Sequence, residues 1–173
     1  TETADKCHEH IALLPGTDAA LALALVHELV THDWLDHDYI AQHTLGWDAL
    51  RARALQWSPE RAAVVCGIPA EQIRTLARDY GTTQPAAIRL NYGMQRARGG
   101  GNATRAVACL PALTGAWRHR AGGMLLSSSG HFPVDRAVLQ RPDLVPGSLP
   151  RTINMFTIGD DLLRAASPEF GPR

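Results

Sequence analysis

The run Ala86-Ala87-Ile88-Arg89-Leu90-Asn91-Tyr92 decides how this chain is read. It is apolar, follows Pro85, and enters glycine at Gly93. Met94-Gln95-Arg96-Ala97-Arg98 then leads to Gly99-Gly100-Gly101-Asn102, after which apolar residues take helical spacing over about 103–113 until Thr114-Gly115. A strand that passes through glycines into a helix is the opening step of an α/β unit. Such a helix start turns backbone N–H groups towards a space that favours anions. In an open α/β sheet, ligands sit beyond the carboxyl ends of the strands, and Gln95, Arg96 and Arg98 stand at that end. The spacing matches neither Gly-x-Gly-x-x-Gly nor the Walker A pattern. Two readings stand: a glycine-rich connection, or a ligand loop outside the common nucleotide motifs.

Upstream, prolines and glycines punctuate a series of helices. Pro15-Gly16 breaks an extended lead-in or short strand over 9–14, and a helix is expected over 19–31 with apolar residues on more than one face, the pattern of a buried helix. Short helices are expected over 34–43 and 47–55. Ser58-Pro59 opens the next, with serine as cap and proline at the first helical position, and Gly67-Ile68-Pro69 stops it. A further helix spans 70–80, and Gly81 is expected to close it. The four residues Pro15-Gly16-Thr17-Asp18 stand at the mouth of the first long helix. Thr17 or Asp18 suits an N-cap. The Asp18 carboxylate also suits a guanine N1–H/N2–H2 edge or a ribose hydroxyl, since it only accepts hydrogen bonds.

The 173 residues are 45% hydrophobic, enough for one sizeable core, and 17 basic residues balance 17 acidic ones. That balance argues against a generic nucleic-acid binder or a polybasic membrane anchor, which work through excess positive charge. Only Lys6 is a lysine; the other basic residues are arginines, which favours bidentate contacts over a diffuse field. No apolar run is long enough to span a bilayer, and the opening residues carry no apolar signal core. Cys7, Cys66 and Cys109 lie far apart, with no Cys-x-x-Cys to hold zinc or an iron–sulfur cluster, so reduced, buried thiols in a cytoplasmic setting are expected. Cys7-His8-Glu9-His10 has metal-binding residue types, but an extended segment turns adjacent side chains to opposite faces, against the convergence a tetrahedral site needs. The histidines form no HExxH, and Ser127-Ser128-Ser129-Gly130-His131 is no nucleophile elbow. No catalytic and no metal-ligating residue is assigned.

Downstream, Met124-Leu125-Leu126 is a short apolar run. Residues 127–152 show no period, 153–158 suit an extended piece, 159–166 a short helix, and 167–173 a frayed end. So long an unpatterned stretch is unusual in a self-sufficient domain. With the absence of an initiator Met, it leads us to expect an internal piece of a longer protein.

Several segments occur in a telling order: Thr1-Glu2-Thr3-Ala4-Asp5, Ile11-Ala12-Leu13-Leu14-Pro15-Gly16-Thr17-Asp18, Trp47-Asp48-Ala49-Leu50, Pro59-Glu60-Arg61, Gly67-Ile68-Pro69-Ala70-Glu71-Gln72-Ile73-Arg74, Tyr92-Gly93-Met94-Gln95, and Leu110-Pro111-Ala112-Leu113-Thr114-Gly115-Ala116-Trp117. In that order and spacing the chain resembles the molybdopterin oxidoreductase family, the dimethyl-sulfoxide-reductase superfamily that includes formate dehydrogenases and nitrate reductases. The resemblance runs through residues 1–130 and more weakly over 131–163.

The resemblance implies a helix-rich α/β fold with a small, mostly parallel sheet, part of the central Rossmann-like domains of a larger enzyme. Residues 1–18 would end one cofactor-binding lobe, 19–130 form the helix-rich α/β portion, and 131–173 a loop-rich tail. It also implies bis-molybdopterin guanine dinucleotide as the parent's cofactor and a [4Fe-4S] cluster held outside this segment. The remaining domains of the parent would be its partners. The Pro-Gly-Thr-Asp loop of the family contacts one guanine dinucleotide, which carries to Gly16, Thr17 and Asp18. A second contact carries to Gln95, with Asn91 four residues earlier. Where formate dehydrogenases carry an Asn-Pro-Val-Arg-Gly-type run, Met124-Leu125-Leu126-Ser127-Ser128-Ser129-Gly130 stands instead, which points away from formate oxidation. The isolated chain would be catalytically silent. The competing class is a stand-alone nucleotide-binding or structural α/β domain without redox activity.

Overall fold

The structure is a computed structural model that describes residues 2–127, 130–145, 147 and 153–165. It divides into two compact units, Thr1–Ser128 and Ser129–Arg173.

The first unit is built around α1 (Asp18–Thr31). Its residues Ala20, Ala22, Ala24, Leu25, Val26 and Leu29 are buried, so the apolar set covers most of the helix girth and needs neighbours on several sides. Those neighbours are α3 (Trp47–Ala54), α4 (Pro59–Cys66), α5 (Ala70–Thr82) and α7 (Gly100–Leu113). Between α1 and α3, α2 (His37–His43) packs on α7. It begins later than the expected residue 34, because Asp36 is its cap and accepts a 2.8 Å hydrogen bond from the Tyr39 N–H. Trp34 lies outside the helix and stacks on His32, with ring centroids 4.6 Å apart.

Ser58 caps α4 and Pro59 opens it, as the sequence predicts. The expected stop at Gly81 fails: α5 runs through it to Thr82. Gly81 is a contact glycine, for an added Cβ would stand 2.8 Å from Leu29 Cδ2 and 2.9 Å from Trp34 Cβ.

The predicted strand is present but short. β1 covers Ala87–Arg89, and Asn91 already caps the single turn α6 (Tyr92–Gln95), its Oδ1 accepting the Tyr92 N–H at 2.8 Å. The chain passes through Gly99, in the left-handed region at φ +78°, into α7 and returns as β2 (Gly123–Leu125). β1 and β2 are parallel, with Ala87 opposite Gly123, Ile88 opposite Met124 and Arg89 opposite Leu125. Parallel neighbours need a crossover, and α7 supplies it. Among the described residues the sheet has two strands. No strand forms over 9–14. The fold is therefore helix-rich α/β with a small parallel sheet.

In the second unit, α8 (Arg136–Gln140) is capped by Asp135, which accepts from the N–H groups of Ala137 and Val138 at 2.9 and 3.4 Å. No strand forms over 153–158, where a turn stands at 155–156. α9 (Ile158–Leu163) begins one residue before the helix expected over 159–166, whose last residue lies outside the described residues. The frayed end expected over 167–173 lies outside the described residues. No helix among the described residues is long and apolar enough to cross a membrane.

Candidate functional site

The loop before α1 is tied down at both ends. The Leu14 N–H donates to the Cys66 carbonyl at 2.9 Å, so the last residue of α4 holds the loop's entry. Thr17 turns inward: its hydroxyl donates to the Leu14 carbonyl at 2.6 Å and its N–H to the same oxygen at 3.3 Å. The Thr17 carbonyl starts α1 by accepting from Ala20 and Leu21 at 2.9 and 3.2 Å. Between these anchors Gly16 adopts φ +83°, a conformation glycine takes without strain, and an added Cβ there would meet nothing.

Thr17 occupies the cap position, yet neither its side chain nor that of Asp18 closes the helix by a capping bond. The Thr17 hydroxyl and N–H both donate to the Leu14 carbonyl, which leaves the hydroxyl oxygen able to accept. The Asp18 carboxylate forms no hydrogen bond or ion pair among the described residues, and the Gly16 N–H likewise has no acceptor among them.

Asp18 lines a cavity of about 450 Å³ between α1, α5, α7 and the β1–α6 segment, walled mainly by Leu21, Leu25, Leu76, Ile88, Val107 and Leu110. Arg89, Leu90 and Met94 contribute to the same wall. The predicted residues Asn91 and Gln95 are exposed and lie beside it, flanking Leu90 and Met94, rather than in it. Asn91 is committed to capping α6, while no hydrogen bond from the Gln95 side chain is found among the described residues. The structure thus brings Asp18 to the same cavity as the β1–α6 strand end, with Gln95 just outside.

Arg89 was not singled out in the sequence. It lines the cavity, but its guanidinium donates to the carbonyls of Leu90 and Leu126, so it pins the exit of β2 to the end of β1. Cys66 was expected only to be a buried thiol. Its Sγ lies 3.6 Å from the Thr17 carbonyl as donor. Burial pushes the thiol's pKa up, and the nearby Asp18 charge adds to that. No local pattern announces this contact, because the partners are 49 residues apart. Glu9, from the segment with metal-binding residue types, accepts a 2.9 Å bond from Gln72, and no group of three or more His, Cys, Asp or Glu suited to a metal occurs among the described residues.

No family model matches the chain. Curated relatives do. It is 40% identical over 158 residues to Probable oxidoreductase YoaE of Bacillus subtilis, covering 91% of this chain and 23% of that protein. It is 36% identical over 126 residues to Dimethyl sulfoxide reductase DmsA of Haemophilus influenzae, covering 62% of this chain and 16% of that one. Among solved structures, Acetylene Hydratase from Pelobacter acetylenicus superposes with a TM-score of 0.67 at 26% identity, over 70% of this chain and 17% of its own. The chain belongs to the molybdopterin oxidoreductase superfamily.

This molybdopterin oxidoreductase segment spans less than a quarter of the curated relatives it matches. Members of the superfamily use molybdopterin cofactors. The residues around Asp18 fit one polar edge of such a group: an acceptor-only carboxylate without partners among the described residues, beside a glycine whose outer face is open.

Proposed function

We propose that these residues are a cofactor-binding portion of a molybdopterin-dependent oxidoreductase and meet the guanine end of one molybdopterin guanine dinucleotide. The observation that carries this reading is the Asp18 carboxylate, which lines the cavity, has no partner among the described residues and is not engaged as a helix cap. Its two oxygens accept from guanine N1–H and N2–H2, each a hydrogen bond to a charged group. The Gly16 N–H donates to a polar cofactor atom, and Thr17 contributes by holding the loop. Gln95, and Asn91 less directly, extend the contact along the rim. The bound cofactor supplies the redox chemistry, and the chain's residues bind and orient it.

On this reading the isolated chain turns over no substrate, because the parts that hold the metal belong to the rest of the parent. A bis-molybdopterin guanine dinucleotide and a [4Fe-4S] cluster belong to the full-length parent, whose remaining domains are this segment's partners, and the parent is cytoplasmic. The test is the Asp18→Asn variant of the full-length enzyme, which keeps shape and helix-start character but loses charge and one acceptor oxygen. Guanosine monophosphate released by acid from the purified protein is expected to fall at least severalfold per polypeptide, with the thermal midpoint kept. Equal release from both proteins returns Asp18 to the helix start alone.

A further inference from the structure

The turn that ends α4 makes three contacts with the Asp18 loop. Cys66 is fully buried, and its carbonyl accepts the Leu14 N–H at 2.9 Å. Its thiol donates to the Thr17 carbonyl at 3.6 Å, the same oxygen on which α1 begins. Gly67 takes φ +71°, and a Cβ there would stand 2.9 Å from Leu14 Cγ and 3.1 Å from Cδ1. One two-residue turn therefore holds the entry, the exit and the side chain of a loop 49 positions away, and leaves only Pro15 and Gly16 between the anchors.

We propose that Cys66 and Gly67 are positioning residues for the Asp18 loop: they set it in the ligand-ready conformation before the cofactor's polar edge arrives. The proposal rests on the reading of Asp18 given above. Leu14 is 54% exposed, so its place against Gly67 adds little buried apolar surface to the core. What the contact does is fix the loop. A loop already held in its bound form does not have to be ordered on binding, and affinity gains by that avoided cost. The raised pKa of the thiol keeps it protonated as a donor near neutral pH, in support of the same geometry.

The test uses the full-length enzyme and two readouts, acid-released guanosine monophosphate per polypeptide and the thermal midpoint. Cys66→Ala keeps the turn but removes the donor. Retention is expected to fall roughly three- to tenfold, the size of one net hydrogen bond, with a fall in midpoint from the small cavity left at a fully buried position. Cys66→Ser restores a donor and recovers part of the loss. Gly67→Ala pushes Leu14 away, and Leu14→Ala in the same protein relieves that clash and raises retention again. In the Asp18→Asn background, Cys66→Ala is expected to cost nothing further, because the residue being positioned is already disabled. A general packing role would leave the two losses additive.

If Asp18→Asn loses the nucleotide while Cys66→Ala and Gly67→Ala retain it fully, the positioning role is overturned and the Asp18 contact stands. If Asp18→Asn retains it, the Asp18 contact falls and the positioning role falls with it. Should Gly67→Ala not fold, the Cys66→Ala and Cys66→Ser pair decides alone.

Discussion

Arg118 grips Asp36 across 82 residues of sequence: Nε donates to Oδ2 at 2.9 Å and Nη2 to Oδ1 at 3.3 Å. The same carboxylate caps α2, and the guanidinium lies 5.1 Å from the Tyr39 ring centroid. The turn after α7 is thereby fastened to the start of α2.

This pair gives stability a pH signature. The bond from Arg118, and then the Tyr39 N–H, hold the Asp36 carboxyl below its usual 3.8. A depressed folded-state value stabilises above the unfolded value, and the contribution is lost as pH falls through the folded one. Asp36→Asn keeps the cap and loses the charge, so it is expected to be less stable than the parent chain at pH 6. The gap should close as pH is lowered below about 3.8. Urea midpoints of both chains across that range check it. Asp36→Ala loses the cap as well and is expected to cost about 0.5–2 kcal/mol more.

Gly81→Ala sets two effects against each other. In a helix interior, alanine is favoured over glycine by about 1 kcal/mol. Here the new methyl would stand 2.8 Å from Leu29 and 2.9 Å from Trp34, both held in the packing around α1. Overpacking of that kind costs about 1–3 kcal/mol, so net destabilisation is expected. A rise in the thermal midpoint would mean that the α1–α5 contact yields more easily than these distances imply.

Leu29 and Val64 test where the core lies. Leu29 is fully buried on α1, and Val64 is 84% exposed on α4. Leu29→Ala is expected to lose about 2–5 kcal/mol, and Val64→Ala to stay within about 0.5 kcal/mol of the parent. Equilibrium unfolding of the two variants reads the contrast directly.

What could be read from the sequence was local. Ser58-Pro59 and Gly67 bracket α4 because capping and the left-handed stop act within a few residues, and the apolar spacing of α1 marks it as buried. The missed features are tertiary. Gly81 reads as a stop when only chain chemistry is considered, yet it exists for the approach of Leu29 and Trp34. β1 ends early because Asn91 spends its side chain on the next turn. β2 is three residues long, too short to carry a period, and only its partner Ala87–Arg89 makes it a strand. At the candidate site the glycine break and the helix start beside Asp18 were legible. Cys66 was not, because its thiol meets Thr17 only after α4 has folded against α1.

Gln95 and Asn91 separate a ligand contact from a structural one. Both are exposed, and they sit at the two ends of α6. Asn91 caps that turn through the Tyr92 N–H, so Asn91→Ala is expected to weaken the turn even when no ligand is present. No hydrogen bond from the Gln95 side chain is found among the described residues, so Gln95→Ala should leave the stability of the chain within about 0.5 kcal/mol. If Gln95 meets the cofactor at the cavity rim, the same substitution lowers acid-released guanosine monophosphate in the full-length enzyme. Asn91→Asp keeps an acceptor for the cap but adds a charge beside the rim, so it is expected to preserve stability and still change nucleotide retention. A Gln95→Ala enzyme that keeps full nucleotide content would confine the contact to the Asp18 loop, and loss of stability in that variant would mark Gln95 as part of the fold instead.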